Sequence, residues 1–89
     1  MLIHFDADYD EWKAAFDSVS DPAGRAQFAE AYMISRGVDN PNDIFLRVEC
    51  ASIEKAKEYR EKLIDTGLLE TFTVKTPPTV VEVVEAGEY

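Results

Sequence analysis

The chain has 89 residues and sets 18 Asp and Glu against 9 Lys and Arg, a formal charge of −9. That length makes one domain, 1–89. Nine scattered basic residues give no counterion-releasing footprint for nucleic acid, and an anionic membrane surface would repel the chain. No run approaches the roughly 20 apolar residues of a spanning helix, and no basic segment leads into an apolar one at the N-terminus. At 46% hydrophobic and 11% aromatic the composition is that of a folded protein.

Met1–Ala7 alternates Leu2, His4 and Asp6 with Ile3, Phe5 and Ala7, the pattern of a strand. Asp8 follows as an N-cap, with Glu11 at capping-box spacing. Tyr9, Trp12, Phe16 and Val19 then form the apolar stripe of an amphipathic helix. Asp21-Pro22 reads as a second cap with Pro at the first helical position, opening a short turn through about Phe28. Glu30–Arg36 is a second strand candidate, followed by the turn-rich Gly37-Val-Asp-Asn-Pro-Asn-Asp43. Asp43–Ala51 alternates most clearly of all.

Ser52 caps a helix whose spacing runs Ile53, Ala56, Tyr59 or Arg60, and Leu63, and Gly67 ends it. Leu68–Lys75 suits either a helical turn or a strand. Pro77-Pro78 predicts a break, and Thr79–Glu85 a valine-rich final strand. Cys50 is the lone cysteine, so an intrachain disulfide and a Cys-based zinc site are excluded, which fits a reducing cytoplasm. By its parity with Leu46 and Val48 it is a small buried hydrophobe. A chain of this size buries only about 60–65% of its unfolded surface. A second copy is the natural supplement to so small a core.

The order β-α-β-β-α-β is the split βαβ, an α+β ferredoxin-like arrangement: a four-stranded antiparallel sheet with both helices on one face. Right-handed crossovers put the first strand beside the third and fourth. Parity assigns Ile3, Phe5, Met33, Leu46, Val48, Val81 and Val83 to the helix side. It assigns His4, Asp6, Tyr32, Ile34, Arg36, Phe45, Arg47, Glu49 and Glu82 to the other face. That mixture of aromatic and ionisable groups fits either a half-solvated face laced with ion pairs or the lining of a cavity closed by a partner sheet.

These pieces resemble a known group. They are a first strand with His4, the run Asp8-Tyr9-Asp10-Glu11-Trp12-Lys13-Ala14-Ala15-Phe16-Asp17, Arg36-Gly37, Asn40-Pro41-Asn42, Ala56 and the Pro-Pro strand entry. The chain is similar to small stress-responsive and antibiotic-biosynthesis-monooxygenase-like proteins of the dimeric α/β-barrel superfamily, including short members with a D-Y-x-x-W-x-x-x-F-D signature. The resemblance implies a homodimer whose sheets pack face to face, with activities that include cyclisation and cofactor-independent oxygenation. Cyclase-like members use a His and a Tyr, and His4 with Tyr32 is the comparable pair by residue type. The Asn, His and Trp set of haem-degrading members does not align here, so no cofactor is implied.

His4 is the one side chain whose ordinary pKa, about 6.5, suits proton transfer near neutrality. Asp6, two residues along, is positioned by the pattern to orient it. In the catalytic reading His4 is the base, Tyr32 a hydrogen-bond donor, and Arg36 or Arg47 stabilises an enolate or carboxylate, with Asp6, Phe45 and Glu49 completing a ligand site. In the bland reading His4 is simply a hydrogen-bonded sheet residue. A His4, Asp6 and Glu49 metal set lacks a second histidine and any close motif. The residues together with the resemblance imply a homodimeric α/β-barrel protein that binds a small organic molecule, with the cyclase- or monooxygenase-like chemistry of the group it resembles. The alternative is a non-enzymatic dimeric interaction or stress-related module with a packed barrel.

Overall fold

A computed structural model describes residues 1–19 and 22–88. The elements are β1 (Leu2–Asp6), α1 (Tyr9–Val19), α2 (Pro22–Arg25), β2 (Ala29–Arg36), β3 (Asp43–Cys50), α3 (Ile53–Asp65), α4 (Leu68–Thr71) and β4 (Thr73–Thr79). The strands form one antiparallel sheet in the order β2-β3-β1-β4, with β1 between β3 and β4 as expected. This is the ferredoxin-like layout, and the sheet is open, with β2 and β4 as its edges.

Local chemistry starts the helices where the pattern places them. Asp8 Oδ2 accepts from the Glu11 amide at 3.1 Å, and Ser52 Oγ accepts from the Lys55 amide at 3.1 Å, each satisfying a first-turn donor. Gly67 follows α3 with φ 80, a left-handed conformation that glycine takes without steric cost. The expected cap at Asp21 lies outside the described residues.

The core lies between the sheet and the helices. Phe5, Trp12, Phe16 and Ile44 are fully buried, and Ile3, Leu46, Val48, Tyr59, Leu63 and Leu68 nearly so. Trp12 and Phe16, one helical turn apart, stack with centroids 5.1 Å apart, and Phe5 meets Trp12 at 5.3 Å. The i, i+4 spacing of α1 therefore clamps that helix onto β1.

Two expectations are corrected. The last strand is Thr73–Thr79, not Thr79–Glu85, and it runs through both prolines. Proline lacks only the amide donor, and an edge strand has one side on which that donor is not needed. The pairing with β1 is irregular there, with register shifts on either side of His4. Thr79 pairs with Leu2 at the start of β1, so the valines beyond it have passed the end of their neighbour. Val81, Val83 and Val84 follow as exposed, non-strand chain. Val81 and Val83 are therefore not part of the helix-side core, and Glu82 is not part of the outer sheet face.

The second correction concerns β2. Tyr32 pairs with Val48, Ile34 with Leu46 and Arg36 with Ile44, so these three share the helix side. Met33 pairs with Arg47 on the open face and is 62% exposed. An irregularity between Ala29 and Ala31 marks the entry of β2, and alternation alone does not say which parity faces inward.

Candidate functional site

The open face is organised by the turn before β3. The Gly37 amide donates to the Asp43 carbonyl at 2.9 Å, and the Asp43 amide to the Asn40 carbonyl at 3.0 Å. The Asn42 amide donates to Asn40 Oδ1, and the Ala7 amide to the Asn42 carbonyl. A Cβ on Gly37 would stand 2.4 Å from the Asn40 carbonyl oxygen, so the turn closes only with glycine there. These bonds hold Asp43 at the mouth of β3.

His4 stands opposite Phe45 across β1 and β3, and its ring lies nearly flat on the phenyl ring, with centroids 4.2 Å apart and planes 20° apart. The imidazole Nε2 lies 2.9 Å from Asp43 Oδ1. Lys75 of β4 brings its Nζ to 3.4 Å from the same oxygen. The hydrogen bond to His4 is the main cause that holds the Asp43 carboxyl below its ordinary value; Lys75 adds to it and partial burial opposes it. An ionised carboxylate only accepts, so Nε2 carries the hydrogen and, in the neutral ring, Nδ1 carries the lone pair. The pair is thus built to present Nδ1 as a proton acceptor.

The expected partner of His4 was Asp6. The carboxylate that reaches the ring is Asp43, which faces Asp6 across the ladder. Residues i and i+2 on a strand are separated by about 7 Å, and stacking on Phe45 turns the imidazole toward the diagonal residue instead. Asp43 carried a signal in the sequence, since it shares parity with Phe45 and Arg47. It was obscured by its place in a turn-rich run.

Beside the imidazole lies a shallow, largely apolar groove of about 370 Å³, bordered by Leu2, His4, Met33, Phe45, Arg47 and Thr76. Leu2, Met33 and Phe45 are 40%, 62% and 44% exposed there. His4, Phe45 and Arg47 are therefore brought together as the sequence reading expected, while Met33, Thr76 and Asp43 are additions to it. A second cavity, about 430 Å³, lies at the opposite end of β3 under the C-terminal segment, with Glu30, Arg47, Glu49, Cys50 and Val81 in its wall. Arg47 borders both, and Glu49 belongs to the second. Cys50 is half-buried in that wall and packs against the core; burial pushes its thiol pKa up, away from nucleophilic use.

Tyr32 and Arg36 do not join His4. They project from the other face of the sheet, where Tyr32 packs near Phe16 with centroids 6.4 Å apart. The Arg36 guanidinium lies 4.7 Å from the centre of the Tyr9 ring, and its Nε donates to the Pro41 carbonyl at 3.5 Å. Arg36 thereby ties α1 to the turn that carries Asp43. The His–Tyr pair implied by the cyclase resemblance is split by the sheet. Among the described residues, no three His, Cys, Asp or Glu side chains group to hold a metal ion, and no helix is long and apolar enough to cross a membrane.

The chain matches no protein-family model. Searches of curated proteins and of solved structures also give no match.

Proposed function

We propose that two copies of this chain pack their open sheet faces together as a dimeric α/β barrel and enclose a small organic molecule beside His4. The observation that carries this reading is the apolar groove bordered by Met33, Phe45 and Arg47, with the oriented His4–Asp43 pair at its edge. A half-buried imidazole fixed by a carboxylate, next to exposed apolar side chains, is an arrangement suited to taking a proton from a bound carbon or hydroxyl acid. In that reaction Nδ1 of His4 takes the proton and the Arg47 guanidinium balances the enolate or phenolate charge. Asp43 orients the ring through the bond to Nε2.

The test is dehydrative cyclisation of β-polyketones and oxidation of hydroquinones with dioxygen as the oxidant, by the full chain in air-saturated buffer, together with light scattering. Wild type is expected to be a dimer with activity. His4→Ala is expected to lose activity, and Asp43→Asn to lower it by about 10²-fold. Unchanged turnover in His4→Ala removes His4 from the mechanism, and a stable monomer at micromolar concentration overturns the barrel. An intact dimer inert toward every substrate favours the packed, non-enzymatic interaction module.

A further inference from the structure

We propose that Arg25 is the receptor for a small aromatic carboxylate, bound on the helix-covered side of the sheet and independent of the open-face groove. Arg25 ends α2 and is 8% exposed. Its Nε and Nη1 are enclosed and have no hydrogen-bond partner. Among the described residues no carboxylate pairs with it. A guanidinium cannot relieve burial by losing its proton, as a lysine or histidine can. Two enclosed guanidinium nitrogens without an acceptor are therefore a feature that needs a partner.

What surrounds the guanidinium describes the partner. Its central carbon lies 4.8 Å from the centre of the Phe16 ring and 4.6 Å from that of Tyr32. With the ring centres 6.4 Å apart and their planes tilted by 52°, the two rings flank the cation on two sides, forming an aromatic corner. The rings attract the positive charge, but no hydrogen bond from its Nε or Nη1 reaches the Tyr32 hydroxyl. Trp12, stacked on Phe16, has a buried indole Nε1 that is likewise without a partner. The unpaired Nε and Nη1 of Arg25 are donors, so the absent group is an acceptor.

One cation among aromatic rings, on a chain of charge −9, suits a monoanion and disfavours a phosphate dianion. The planar fork of arginine matches a carboxylate, and the rings of Phe16 and Tyr32 favour an aromatic body attached to it. Tyr32 is 51% exposed on edge strand β2, so one wall of the corner reaches solvent and gives the ligand a way in.

Trp12 is the only tryptophan, so its fluorescence reports on this cluster. The experiment titrates the full chain with benzoate and, separately, with its neutral counterpart benzamide. Benzoate is expected to give a saturable change with an affinity at least about tenfold above that of benzamide. The response should be lost in Arg25→Gln and unchanged in His4→Ala. Equal responses to the two probes, no response to benzoate, or a response that persists in Arg25→Gln would overturn the proposal. Should Arg25→Gln fail to fold, Arg25→Lys keeps the charge without the planar fork; it is expected to melt cooperatively and to bind benzoate at least about tenfold more weakly. Since His4→Ala removes the open-face base and leaves the aromatic corner intact, failure here is separable from failure of the barrel reading.

Discussion

The two faces of the sheet handle charge in opposite ways. On the helix side, a cation lies against aromatic rings and two of its nitrogens lack an acceptor among the described residues: Arg25 against Phe16 and Tyr32. On the open side, His4 is partly exposed yet fully oriented, with Asp43 on one ring nitrogen and Phe45 under its plane. The first arrangement has stability from packing and is short of a polar partner. The second has its polar partner and is short of an apolar cover. Each deficit points to something the isolated chain does not contain, an anion in one case and a second apolar surface in the other.

Breaking the covered face should have the largest effect. Trp12→Ala removes a fully buried ring that contacts both Phe5 and Phe16. It should cost about 3–5 kcal/mol, read as a fall in the urea midpoint. If the loss is below about 1 kcal/mol, the aromatic cluster is not what holds α1 to the sheet.

The open face should be sensitive through its turn. Gly37→Ala sets a methyl group against the Asn40 carbonyl and displaces the segment that carries Asp43. It should cost about 1–3 kcal/mol and weaken the His4–Asp43 bond, visible as a change in the imidazole NMR signals. Unchanged signals would show that Asp43 does not depend on the turn for its position.

The smallest effect distinguishes the faces by pH. The folded-state pKa of Asp43 lies below its unfolded value, so its contribution to stability is complete above the unfolded-state range. It declines from about pH 5 downward, as protons bind first to the unfolded chain, and is gone below the folded pKa. Asp43→Asn should flatten that acid limb, while Arg25→Lys should leave it intact. Denaturant titrations between pH 3 and 7 measure both, and a wild-type acid limb retained in Asp43→Asn would assign the pH dependence elsewhere.

Much of the fold is carried by local patterns. Alternation in β1 and β3, the caps Asp8 and Ser52, and the stripe of Tyr9, Trp12 and Phe16 give those elements within a residue or two of their observed bounds. The site is less local. His4, Phe45 and Arg47 could be grouped because β1 and β3 alternate cleanly, whereas Asp43 became visible as the partner of His4 only through cross-strand geometry. Arg25 gave no signal, since a basic residue at the end of a short helix is ordinarily solvated, and its burial depends on Phe16 and Tyr32 arriving from two other elements.

The acidic balance, the order of elements and the helix starts follow from the sequence alone, because composition, capping and periodicity act over a few residues. The orientation of β2, the reach of β4 and the partner of His4 were decided only by the tertiary structure. A strand's alternation is the same whichever side is covered, so packing had to choose between Tyr32 and Met33. The valines after Thr79 have strand chemistry, but a strand also needs a neighbouring edge, and β1 ends before they begin. Local preference proposes a strand; the supply of backbone partners determines whether one forms.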